Sequence, residues 1–158
     1  MNKIEKYNTL ISQINSLTAK ETDFIANLSN ITSAIHFTFN FHWTGFYFNK
    51  QNELVLGPFQ GPVACTRLGF GKGVCGKAFL RGKTINVPDV HKFNGHIACS
   101  SLSNSEIVIP VFYNNTVVAV LDIDSINFNE FDKIDEEYLE KITNLIAPLF
   151  SNMQPISV

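Results

Sequence analysis

Two runs of β-branched and apolar residues, SEIVIPVFY at 105–113 and TVVAVLDID at 116–124, are separated by only Asn114 and Asn115. Strands joined by so short a turn must pair antiparallel, because a parallel pair needs a crossover of a dozen residues or more. Asparagine tolerates the left-handed backbone that such turns require. Three acids interrupt the two runs: Glu106, Asp122 and Asp124. Asp122 and Asp124 lie two apart and share a face, opposite Leu121 and Ile123. Register decides whether Glu106 joins them. A strict two-residue turn pairs Tyr113 with Thr116 and puts Glu106 opposite Ile123, on the wrong face. A three-residue loop or one bulge moves it opposite Asp122 or Asp124. The convergent register also leaves Ile107, Ile109, Val111, Val117, Ala119, Leu121 and Ile123 as a continuous apolar face to bury, so an odd loop or a bulge is expected.

The remaining segments fit around such a sheet. Ile4, Tyr7, Ile11 and Ile14 form one apolar stripe of a helix over 2–17, and Phe24, Leu28, Ile31 and Ile35 do the same over about 20–38. His42–Asn49 and Glu53–Gln60 read as a hairpin around the turn signal at 49–52. The Gly-rich stretch GFGKGVCGKAFLRGKTINVPDV holds a short helix at Val74–Leu80 and a short strand at Thr84–Val87. Residues 89–104 show no periodicity, and loops of that length in compact domains are usually functional or disordered. The C-terminal helix, about 132–150, opens on Asp132 with Asp135 three residues later, a capping pattern. Its expected stripe is Ile134, Tyr138, Ile142, Leu145 and Leu149, with Pro148 ending or kinking it. The expectation is an α+β fold, a single domain over 1–158. Helices at about 2–38 and 132–150 pack on one face of an antiparallel sheet that spans, with its loops, about 41–125. A ligand pocket lies under the loops on the other face.

A chain of 158 residues with 45% hydrophobic content can bury a full core. Net charge is −2 and no basic run occurs, which gives no electrostatic support to nucleic-acid or anionic-membrane binding. The start, MNKIEKYNTLISQINSL, is too polar for a signal-peptide core or a membrane span, so a cytoplasmic location is expected. In that compartment Cys65, Cys75 and Cys99 are expected to be thiols at rest. No C-x-x-C is present, and the intervals from Cys65 through Cys75, His91, His96 and Cys99 match no common structural-zinc pattern, so no metal is expected. Cys99 stands apart because its loop, GHIACSSLSNSEIVIP, runs directly into the strand that carries Glu106. Three carboxylates in one partly buried site cannot all ionise cheaply, and one should keep a proton near neutral pH. A thiolate beside an acid that can donate suits reduction of an oxidised sulfur, where oxygen must be protonated as the nucleophile attacks.

HWTGFYF, LVLGPFQGPVACTRLGFGKGVCGKA, INVPDVHKFNGHIAC, SNSEIVIPV and VLDIDS occur in this order over about residues 41–128. Together they closely resemble the free methionine-(R)-sulfoxide reductases, enzymes built on a GAF domain. The resemblance implies that Cys99 attacks the sulfoxide sulfur and becomes a sulfenic acid. It further implies that Cys65 resolves this as a disulfide, and that thioredoxin then reduces the bond. Glu106, Asp122 and Asp124 match the acids that hold and protonate the sulfoxide end. Trp43 and Tyr47 match the aromatics around its methyl-sulfur end, and Ile97 and Ala98 fall beside the substrate. Cys75 matches a third, auxiliary cysteine. Asn94 and Leu102 depart from the usual pattern within the loop, and no cofactor is implied. His96 is expected to order the loop or to lie near the substrate's carboxylate. The stripe of 2–17 could pack on its own domain or on a second copy, with a homodimer favoured. A non-catalytic GAF module sensing a small molecule or redox state is the other reading, although a sensor has no need of a resolving thiol beside an acid cluster.

Overall fold

In a computed structural model, which describes residues 1–51 and 53–153, the helices are α1 (Lys3–Thr18), α2 (Phe24–Phe39), α3 (Gly73–Arg81) and α4 (Lys133–Ile146). The strands are β1 (Trp43–Lys50), β2 (Glu53–Gln60), β3 (Arg67–Gly69), β4 (Ile85–Val87), β5 (Ser105–Tyr113) and β6 (Thr116–Ser125). Of the turn expected at 49–52, Asn52 lies outside the described residues, as do residues 154–158. The strands form one antiparallel sheet in the order β3-β2-β1-β6-β5-β4. Strand β3 had no sequence signal of its own. Three residues are too few to show alternation, and β3 exists because β2 pairs with it, Leu54 opposite Leu68.

The hairpin of β5 and β6 answers the register question. Asn114 and Asn115 adopt φ values of 48° and 61°, and Tyr113 pairs with Thr116 across a two-residue turn. A bulge then shifts the register between Val111 and Phe112, so that Val111 faces Ala119 and Glu106 faces Asp124. The bulge has a second consequence. Val117, expected on the helix-covered face, is displaced from it, and Val118 packs against that core instead.

α2 and α4 cover one sheet face, where Phe46, Phe48, Ile107, Ile109, Leu121 and Ile123 are buried, and α1 packs against both helices. Burying side chains of this kind stabilises by about 1.5–3 kcal/mol each. Two helix stripes differ from expectation. On α1, Leu10 is buried with Tyr7 and Ile14, whereas Ile4 is exposed. On α4 the buried residues are Asp135, Leu139, Ile142, Thr143 and Ile146, so Leu145 turns outward and Ile134, Tyr138 and Leu149 are only partly buried. The cause is Asp135, which is drawn inward: it accepts from Tyr7 Oη at 2.8 Å, Lys3 Nζ at 2.6 Å and the Asp132 backbone N–H at 2.8 Å. This rotates the buried face by one residue and completes the capping box at Asp132. Pro148 does stop the α-helix; Ala147–Asn152 continue as a 3-10 turn.

Asp135→Ala should therefore cost about 2–4 kcal/mol, since it strands a buried phenol and removes a cap. On a chain of this size that is a drop in Tm of roughly 5–15 °C, readable by calorimetry. An unchanged Tm would show that the network adds nothing.

The other sheet face carries a second core in which α3 packs over Leu54, Leu68, Val108 and Val120, with Trp43, Tyr47 and Cys75 at its edge. The pocket opens there.

Candidate active site

Partners across an antiparallel sheet present their side chains to the same face. Trp43 pairs with Asp124, Gly45 with Asp122, and Glu106 with Asp124. Trp43, Tyr47 and the three acids therefore share the face opposite the helices. They line a small pocket of about 40 Å³, together with Val63, Ala64, Leu68, Lys72–Cys75, His96, Ile97, Cys99, Ser100 and Ser103.

Two segments close over it. The 89–104 loop is held at Val90 N–H, which donates to Asn104 O at 3.0 Å, and at His96 N–H, which donates to Phe93 O at 3.1 Å. Lys77 donates to Asn94 O and lies 4.5 Å from the centre of the Phe93 ring. His42 Nε2 meets Ser100 Oγ at 3.0 Å, one residue beyond Cys99. The segment with Cys65 is tethered by the pocket aromatics themselves: Tyr47 Oη donates to Cys65 O at 2.8 Å, and Trp43 Nε1 to Pro62 O at 3.1 Å. These tethers bring the Cα atoms of Cys65 and Cys99 to 5.5 Å, and the two are joined as a disulfide. That separation lies within the range a disulfide spans without moving the backbone. The expectation of three resting thiols is corrected for these two, and Cys75 alone is free.

Burial first, and then the charge of Asp124, pushes the Glu106 carboxyl well above its usual range. Burial and Glu106 do the same to Asp122; burial and Asp122 do so to Asp124. Burial, followed by the charge of Asp122, also drives the Cys75 thiol up. His96 Nε2 lies 3.5 Å from Glu106 Oε2, and burial lowers the pKa of the imidazole. Both groups are thus pushed toward their neutral forms, which weakens this contact as an ion pair. Asp122 Oδ1 and Ser103 Oγ are buried without a hydrogen-bond partner among the described residues, which leaves polar capacity for a ligand. The thiol of Cys75 and carboxylate oxygens of Glu106 and Asp122 lie within 4.8 Å of one another and are the donors that could share a cation. The arrangement offers a sulfur nucleophile at the mouth, a proton-bearing carboxyl cluster at the floor and an aromatic wall between.

Residues 23–151 match the GAF domain family model. GAF domain-containing protein A of Dictyostelium discoideum is 54% identical over 145 residues, 91% of this chain and 92% of its own. Free methionine-R-sulfoxide reductase of Escherichia coli strain K12 is 46% identical, over 90% of this chain and 87% of its own. The crystal structure of free methionine-R-sulfoxide reductase from Neisseria meningitidis, solved with its substrate, superposes with a TM-score of 0.93 at 44% identity, covering 96% of this chain and 92% of that one. The chain belongs to the free methionine-R-sulfoxide reductase family of GAF domains.

Most residues read from the family pattern do converge on the pocket. Trp43, Tyr47, Cys75, Ile97, Cys99, Glu106, Asp122 and Asp124 line it, and Cys65 enters through its bond to Cys99. Ala98 does not: it is exposed and outside the lining. The tight bend in which Cys99 N–H donates to Ile97 O aims residues 97 and 99 inward and 98 out. His91 stays outside the pocket, exposed and paired with Asp89 at 3.0 Å. Lys72, Ser100, Ser103 and the tether His42 were not foreseen, because their signal is proximity across the sheet rather than spacing.

Gly45 is a further residue that this pocket needs for its lack of a side chain. A Cβ there would lie 2.4 Å from Trp43 Cη2 and 2.5 Å from Phe59 Cβ. Gly45→Ala should displace the indole at a cost of about 1–3 kcal/mol. The KM for the sulfoxide should rise roughly tenfold, and an unchanged KM would show the indole is free to move.

Proposed function

We propose that this chain reduces free methionine-(R)-sulfoxide to methionine. The observation that carries the reading is the convergence of Cys99, already bonded to Cys65, on three buried carboxyls of raised pKa in one aromatic-walled pocket. The substrate assignment is supported by the relatives named as free methionine-R-sulfoxide reductases at 46% and 41% identity. The Cys99 thiolate attacks the sulfoxide sulfur while the carboxyl cluster delivers one proton to its oxygen, which passes to the Cys99 sulfur as its bond to the methionine sulfur breaks. Methionine leaves, and Cys99 carries the oxygen as a sulfenic acid. The Cys65 thiol attacks that sulfur, water departs and the disulfide forms. A dithiol protein of the thioredoxin kind, expected in a reducing cytosol, returns both cysteines to thiols. Trp43 and Tyr47 hold the methyl-sulfur end, and Ile97 packs at the mouth. Cys75 remains a protonated thiol beside Asp122, auxiliary to the acids rather than to the electron path. The pocket is roofed by Ala64, Ile97 and Ser100, which favours a free amino acid over a polypeptide.

The stripe of α1 is used within its own chain, so the homodimer favoured from that stripe would need another surface. The deciding assay supplies methionine sulfoxide, thioredoxin, its reductase and NADPH, and follows NADPH loss. The R epimer of the free amino acid should be consumed, and the S epimer and peptide-bound sulfoxide should not. No turnover on any of them would end the reading.

A further inference from the structure

The two segments that meet at the disulfide have an unusual surface. Residues 61–72 and 90–105 contain no Asp or Glu, although the chain as a whole has 14 acids against 12 bases. They contribute Arg67, Lys72 and Lys92, and Lys77 reaches them through Asn94. Arg67 is paired with Glu53 and Lys92 with Asp89, whereas Lys72 and Lys77 have no carboxylate partner among the described residues. Large apolar side chains stand on the same segments. Val63, two residues before Cys65, is 88% exposed, and Leu102, three residues after Cys99, is 62% exposed. Chain geometry keeps Leu102 within about 11 Å of Cys99 and Val63 within about 7 Å of Cys65. Val63 and Leu102 are two of several exposed apolar side chains, and these two flank a bond that an outside thiol must break.

We infer that this acid-free, apolar surface around Cys65–Cys99 is the docking face for the protein dithiol that recycles the enzyme. The inference rests on the function proposed above. Its partner presents an apolar rim with carboxylates, complementary to Val63, Leu102, Lys72 and Lys77. The entering thiolate attacks Cys65 Sγ, because Cys99 faces the pocket while Cys65 is followed by the exposed Thr66 and Arg67. The Cys65–Cys99 bond breaks, a partner–Cys65 disulfide forms, and Cys99 leaves as a thiolate that takes up a proton. The partner's second thiolate then attacks its own sulfur in that mixed disulfide, and Cys65 leaves to become a thiol. The partner ends oxidised to a disulfide, and two electrons and two protons have passed to this chain.

The test compares a thioredoxin with a small dithiol, dithiothreitol, as reductant. Leu102 lies outside the pocket lining, so Leu102→Asp should leave dithiothreitol-supported turnover unchanged. It should raise the KM for thioredoxin at least about fivefold, and Leu102→Met should restore it. Wild-type KM for thioredoxin should also climb between roughly 0.05 and 0.3 M salt, as attraction between charges is screened. An equal KM for Leu102→Asp and wild type would overturn the docking face. A thioredoxin lacking its second cysteine should be trapped on Cys65, and trapping on Cys99 would overturn the order of attack. Absence of turnover even with dithiothreitol would count against the proposed reaction instead. The yield of trapped complex from the oxidised chain, wild type against Leu102→Asp, would still decide the surface.

Discussion

Cys99→Ser should abolish reduction of free methionine sulfoxide, a loss of at least roughly 10⁴-fold in turnover, because a hydroxyl neither ionises near neutral pH nor attacks sulfur usefully. Cys65→Ser behaves differently. It should complete one rapid turnover, release one equivalent of methionine and then stall, with Cys99 held as a sulfenic acid that thioredoxin recycles poorly. Rapid quench with methionine detection separates the two: no burst for the first variant, a stoichiometric burst for the second. Steady-state turnover undiminished in Cys65→Ser would remove that residue from the cycle, and a burst in Cys99→Ser would remove the nucleophile. Both variants lose the crosslink, so folding is compared under reducing conditions. The geometry behind the contrast is the pair of aromatic tethers, Tyr47 to Cys65 O and Trp43 to Pro62 O, which hold the resolving segment over the nucleophile.

Glu106→Gln should slow the reaction about 10²- to 10⁴-fold, the usual worth of a positioned general acid, and yet make the protein more stable at alkaline pH. Burial and the neighbouring Asp124 hold the Glu106 carboxyl well above its usual range. The folded chain therefore binds that proton more tightly than the unfolded chain does. Stability is fullest below the unfolded carboxyl range, near pH 4, and is lost as pH rises through the raised folded value. The amide cannot ionise, so the variant escapes the loss. At pH 8 its Tm should exceed that of wild type by roughly 2–8 °C, about 1–2 kcal/mol, and near pH 4 the two should converge. A Tm at or below wild type at pH 8 would mean that the carboxylate is compensated by contacts other than those described. The same acid should set the alkaline limb of kcat/KM. Asp124→Asn removes the charge that helps raise Glu106, and should move that limb to lower pH.

Much of this site is legible in the residues, and the parts that are not share a cause. Strand alternation places Asp122 with Asp124, and the need to bury Ile107, Ile109, Leu121 and Ile123 on the opposite face is enough to require a register shift. The shift itself is a bulge beside Val118, which only the pairing of the two strands reveals. The stripe of α4 is displaced by one residue from expectation because period-3.6 reasoning ranks residues by hydrophobicity. A carboxylate moves inward only when a phenol and an ammonium on another helix are there to meet it, as Tyr7 and Lys3 meet Asp135. Ala98 departs from its neighbours through a backbone bend that turns it out, and no residue type signals that bend. Lys72 and Ser103 reach the pocket from segments whose polar composition resembles any loop.

The sequence by itself determined the antiparallel sheet, the helices at its ends, the family and the identity of the groups that can do chemistry. The family follows from the resemblance of five linked motifs, and the rest from short-range physics: side-chain period, turn length and the reactivity of a thiol or a carboxyl. Tertiary structure alone decided that Glu106 faces Asp124, that Cys65 lies within bonding reach of Cys99, and that Gly45 must stay bare beneath Trp43. Each of these depends on atoms far apart in the chain, and the interaction that sets it, a strand register, a tether or a packing clearance, exists only once the chain has folded.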